Sequence, residues 1–114
     1  MSFAIEENKG ASDLESVVLR AENEQQIIAI FKEEILREYG THNTPGYLNV
    51  AIVLAYSDFD FTPYKEVINE FIPRLKNIIQ QLINKLKETE NKALALEIKQ
   101  LQLDLINKYK TISL

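Results

Sequence analysis

Residues 63–86 read PYKEVINEFIPRLKNIIQQLINKL. Apolar side chains recur at Ile68, Ile72, Leu75, Ile79, Leu82 and Leu86, with gaps alternating between four and three. That rhythm holds one stripe on one side of an α-helix. A second stripe runs beside it through Tyr64, Val67, Phe71, Ile78 and Ile83. An apolar face this wide needs more than one neighbour to cover it. Pro73 lies inside the pattern without shifting its phase, so the helix is expected to bend there and not to stop. Thr62-Pro63 reads as its start, with Thr at the N-cap and Pro at the first helical position.

Downstream, residues 87–92 are polar. A new stripe then runs through Leu94, Ile98, Leu101, Leu105 and Tyr109, flanked by Leu96, Leu103 and Ile106. The stripe carried forward from Leu86 would fall on Thr89, Ala93, Leu96 and Gln100, a weaker set. The change of phase predicts a turn at 89–91 and an antiparallel hairpin of helices near 63–87 and 92–110. The alternative is one rod of roughly 48 residues and about 70 Å, which would need a second chain to cover it.

Upstream lies YLNVAIVLAYS, residues 47–57, whose one internal polar side chain is Asn49. Such a run is a buried helix or a buried strand, and periodicity does not separate the two. Thr44-Pro45, the Leu and Ala content and the helical neighbours favour a helix over 45–57. In the turn 57–61, Phe59 and Phe61 are expected to fold onto the core and Asp58 and Asp60 to face water. Asp60 would also meet the positive end of the next helix.

Nearer the N-terminus, Ser12 and Glu15 have capping-box spacing, and Asn23 to Gln26 offers a second helix start. Leu14, Val18, Ala21, Ile28, Ile35 and Tyr39 stay roughly in phase, which favours one kinked helix over 13–39, with a split as the alternative. Gly40 is placed to end it. A strand at 16–19 is too short to favour. Residues 41–46 read as a loop, and residues 1–11 as a flexible arm before a single domain over 12–114. The expected fold is an all-α, single-domain bundle of four to five helices with a C-terminal helical hairpin.

Of the 114 residues, 46% are apolar and 26% charged, enough for one core. The net charge of −4 and a pI near 5.0 argue against a nucleic-acid or anionic-membrane partner. The absence of cysteine excludes disulfides, thiolate metal sites and cysteine nucleophiles. The opening MSFAIEENKGAS does not read as a signal peptide, so a cytoplasmic protein is expected. Charge is unevenly placed. Residues 1–62 hold eleven acids and four bases, a net of −7, and residues 63–114 hold six acids and nine bases, a net of +3. Within one fold the halves attract each other. Between molecules, the same asymmetry would favour head-to-tail association or an acidic partner for the basic hairpin.

Sites for chemistry are sparse. His42 is the only histidine and sits in a polar loop segment. Glu33, Glu34 and Glu38, with Asp58 and Asp60, are the carboxylates that could hold Mg²⁺ and activate water on a phosphate, as in a helical nucleotide phosphohydrolase. Their spacing matches no complete acidic motif, and Lys32 and Arg37 are ready local partners. No phosphate-loop, dinucleotide, zincin or nucleophile-elbow pattern occurs. Lys85, Lys87 and Lys92 cluster at the expected hairpin tip, but Glu88 and Glu90 interrupt them and no aromatic platform lies nearby.

The remaining signal is apolar excess on the last two helices. It predicts a small cytosolic interaction or regulatory module of adaptor, inhibitor or immunity type. Such a module binds a protein or a second copy of itself as a homodimer, without catalysis, metal or cofactor. Its expected surface is Tyr64, Val67, Phe71, Ile78, Ile83, Leu96, Leu103 and Ile106.

Overall fold

The computed structural model describes residues 9–37 and 44–110, which form α1 (Lys9–Leu19), α2 (Glu24–Leu36), α3 (Gly46–Tyr56), α4 (Lys65–Glu88) and α5 (Lys92–Tyr109), with no strand among them. The all-α bundle with its closing hairpin is therefore present, and residues 47–56 are helix. The centre is α3, not α4. Nine of its eleven residues are buried, and it packs against each of the other four helices. Burial on every side explains why 47–57 carries no helical period. Each fully buried Leu or Ile there contributes about 1.5–3 kcal/mol through removal of apolar area from water.

One kinked helix over 13–39 does not form. α1 begins at Lys9, ahead of the Ser12–Glu15 box and inside the segment expected to be a free arm, and it ends at Leu19. Asn23 is extended, and its side chain accepts from the backbone N–H of Gln26 at 3.0 Å. Gln26 reaches back and accepts from the N–H of Glu22 at 2.8 Å. This local box satisfies helix-start donors and outweighs the continuous phase. α2 stops at Leu36, where Arg37 turns extended. Tyr39, Gly40 and residues 41–43 lie outside the described residues.

Both Thr-Pro starts shift. Pro45 takes the N-cap position itself, and α3 starts at Gly46. A Cβ on Gly46 would stand 1.8 Å from the Glu34 carbonyl oxygen, so only glycine lets α3 begin against the end of α2. After Pro63, a tight turn from Phe61 to Tyr64 (N···O 2.8 Å) delays α4 to Lys65. Asp60 accepts from the N–H of Thr62 at 2.9 Å, so it shapes that turn and does not cap α4. α4 continues through the exposed Pro73.

The core closes around aromatic rings. Phe31 meets Phe71 edge-on at 5.5 Å and Phe61 at 6.0 Å, and Phe59 lies 4.6 Å from Phe61. Phe61 is buried and Phe59 half-buried, with Asp58 and Asp60 exposed, as the alternation of that turn suggests. The last turn of α5 serves the end of α3. Tyr109 donates its hydroxyl to the Leu54 carbonyl, and Lys108 Nζ donates to the Ser57 carbonyl at 2.9 Å. Carbonyls at a helix end have no partner of their own, so α5 supplies them. Tyr56 adds a third link by donating to Asp104 Oδ2 at 2.6 Å. Among the described residues, no helix is long and apolar enough to cross a membrane.

Candidate functional site

The chain reverses at 89–91 without glycine or proline. Asn91 donates its backbone N–H to the Leu86 carbonyl at 2.8 Å, and Glu90 donates to the Lys87 carbonyl at 3.1 Å. These are the two bonds of a Schellman closure, with Glu90 in the left-handed region at φ 63°. The reversal lays α5 along α4, the most extensive helix–helix contact among the described residues. It sets Gln80, Ile83 and Lys87 opposite Lys92, Ala95, Leu96 and Lys99, a groove of about 380 Å³.

Both walls follow helical spacing, at i, i+3, i+7 on α4 and i, i+3, i+4, i+7 on α5. Ile83 and Ala95 are buried and form the floor. Leu96 is 71% exposed, and Leu103, two turns further along α5, is 41% exposed. Lys87, Lys92 and Lys99 stand at the margin, and no carboxylate lines the groove. Among the described residues none of the three lysines forms a salt bridge. Beyond Lys99 the seam is closed by buried Gln102. Its Nε2 donates to the Lys76 carbonyl at 3.1 Å and to Gln80 Oε1 at 3.3 Å, and its Oε1 accepts from Lys99 Nζ at 3.0 Å.

The eight residues expected on the surface divide. Leu96 and Leu103 are exposed, and Ile106 and Ile78 are half-buried. Tyr64 is half-buried at the head of α4, its ring stacked on Phe59 at 6.0 Å. Val67, Phe71 and Ile83 are core residues and present no surface. Phe71 packs on Phe31, and Ile83 is covered by the hairpin. The spacing could not show this, because a second stripe on α4 is covered inside a five-helix bundle as readily as it is left open. Gln80, Ala95 and Lys99 line the groove without belonging to the expected surface. The stripe Lys92, Leu96, Lys99, Leu103, alternating basic and apolar at gaps of four, three and four, was the available signal.

The four described carboxylates of the candidate set, Glu33, Glu34, Asp58 and Asp60, fall into two separate places. Glu33 pairs with Arg37 at 3.2 Å. Glu34 accepts from the amide of buried Asn49 at 3.1 Å and lies 3.8 Å from Arg37, so it ties α2 to α3. Asp58 and Asp60 line a separate cleft of about 360 Å³ with Lys108 and Tyr109. Burial lowers the pKa of Lys108 while these two acids oppose the shift. Its ammonium is already engaged with the Ser57 carbonyl, which gives the cleft a structural explanation. Glu38 and His42 lie outside the described residues. Among the described residues, no three acidic or histidine side chains come close enough to share a metal ion.

No protein family, curated protein or solved structure matches this chain.

Proposed function

We propose that this chain is a small interaction module of adaptor, inhibitor or immunity type, working in the cytoplasm and binding another protein through the outer face of the α4–α5 hairpin. It carries out no chemistry of its own. The observation that carries the reading is Leu96, exposed beside an apolar groove on a helix whose opposite side is fully engaged in the core. A large aliphatic side chain held in the open by a rigid helix is a natural anchor for a partner. Beside it the groove between the two helices is backed by Ile83 and Ala95, which are themselves buried. Self-association into a homodimer would use the same face.

Site-specific photo-crosslinking in living cells tests the proposal, with the probe at position 96 or 103 and, as controls, at the exposed positions 16 and 33. The expected result is a discrete protein adduct from 96 and 103 that is absent from both controls. Equal adducts from all four positions, or none from 96 and 103, would overturn it.

A further inference from the structure

Resting on that reading, we infer that the α4–α5 groove receives an acidic amphipathic helix of a partner protein, with its apolar stripe packed on Leu96 over the groove that Ala95 and Ile83 back and its carboxylates on Lys87, Lys92 and Lys99. Three features favour this occupant.

The first is charge. The groove margin holds three cations and no carboxylate, and none of the three forms a salt bridge among the described residues. Acidic side chains flanking an apolar stripe would complement it, and basic ones would be repelled. The charged residues of the groove are opposite in sign to the net charge of the whole chain, which is −4. An extended anionic surface such as a bilayer would therefore meet repulsion from the rest of the molecule, and a narrow partner would not.

The second is backbone chemistry. An extended peptide gains affinity by pairing with a sheet edge, and the described residues contain no strand. A helix satisfies its own backbone and needs from the groove only side-chain contacts. Two antiparallel helices with a small residue, Ala95, in the floor let a third helix approach closely.

The third is register. Lys92 and Lys99 are seven residues apart, as are Leu96 and Leu103. Two turns of helix are about 10.5 Å, so a partner helix with a heptad pattern meets a basic and an apolar site at the same interval. The stripe from Lys92 to Leu103 spans about 16 Å, three turns of such a partner.

The test uses the full chain and a fluorescent 21-residue peptide of Leu, Ala and Glu, with Leu at heptad positions a and d and Glu at e and g. Three comparison probes accompany it: the same peptide with Lys for Glu, a peptide of the same acidic composition with its Leu residues scattered round the helix, and vesicles of phosphatidylcholine and phosphatidylglycerol. Saturable binding of the acidic amphipathic peptide alone is expected, weakening at least about fivefold between 50 and 500 mM NaCl as the rim charges are screened. The double variant Lys87→Glu/Lys92→Glu should weaken it at least about tenfold and bring in the Lys peptide. Lys99→Glu, tested separately, should act in the same direction. Equal binding of the acidic and basic peptides, equal binding of the scattered peptide, binding to vesicles only, or indifference to both sets of variants would overturn the inference. Adducts from positions 96 and 103 with failure of the acidic peptide would reject this partner chemistry and leave the interaction face standing. Failure of both would reject both.

Discussion

Gln102 donates its side-chain amide to the main-chain carbonyl of Lys76 at 3.1 Å, a bond from the middle of α5 to the middle of α4. With Gln80 and Lys99 on the same side chain, it is a polar clasp buried in an otherwise apolar seam. Gln102→Ala removes these bonds and leaves a void, and it should cost about 1–3 kcal/mol of folding stability. Urea denaturation would read this as a lower midpoint at an unchanged slope. A midpoint equal to wild type would mean that the clasp is incidental.

The turn of the hairpin is closed by Glu90 in a conformation that glycine adopts without cost. A side chain in the left-handed region costs roughly 1–2 kcal/mol, part of which glycine returns through its greater unfolded-state freedom. Glu90→Gly should therefore stabilise the fold by about 0.5–1 kcal/mol, and thermal melting would show a rise of a few degrees. A lower melting temperature would count against the Schellman closure.

Much of this architecture is legible in the residues. The four-three rhythm of α4 and the loss of phase after Leu86 locate the hairpin turn, although no glycine or proline marks it. Two features hide. The run 47–57 is apolar on every side because α3 is covered on every side, so the pattern that tells helix from strand is erased. The break between α1 and α2 is written in Asn23 and Gln26, but the apolar phase carries across it and conceals it. At the candidate site, Leu96 and Leu103 are visible as apolar positions beside the α5 stripe. The floor is not, because whether Ile83 is core or surface depends on how α5 lies over it.

Ile83 and Leu96 separate these roles experimentally. Ile83 is 1% exposed, so Ile83→Gln buries an amide in an apolar site and should cost about 2–5 kcal/mol. Leu96→Gln changes a side chain already in water and should move stability by no more than about 0.5 kcal/mol. Chemical denaturation of the two variants checks the contrast, and equal losses would contradict the assignment of floor and rim.

A pH effect follows from the meeting of α2 and α4. Glu24, in the first turn of α2, faces Glu66, in the first turn of α4. The hydrogen bond the two carboxyls share, then burial, then the charge of Glu66, raise the pKa of Glu24 above its ordinary value. The folded protein therefore holds this proton more tightly than the unfolded chain. Its contribution to stability is full below the ordinary value of 4.5 and is lost as pH rises through the raised value. Relative to wild type, Glu24→Gln should lose less stability between pH 4 and pH 7. Melting temperatures of both proteins across that range give the answer, and parallel curves would show that the carboxyls do not interact.

The most direct test of the interaction face is one variant read two ways. Leu96→Glu places a charge at the centre of the proposed anchor and outside the core. Its melting temperature should stay within about 2 °C of wild type, as for a surface substitution of about 0.5 kcal/mol or less. The adduct formed from a probe at position 103 should disappear. Full adduct yield in a well-folded Leu96→Glu protein would contradict the account, as would a fall in melting temperature large enough to show that Leu96 belongs to the fold.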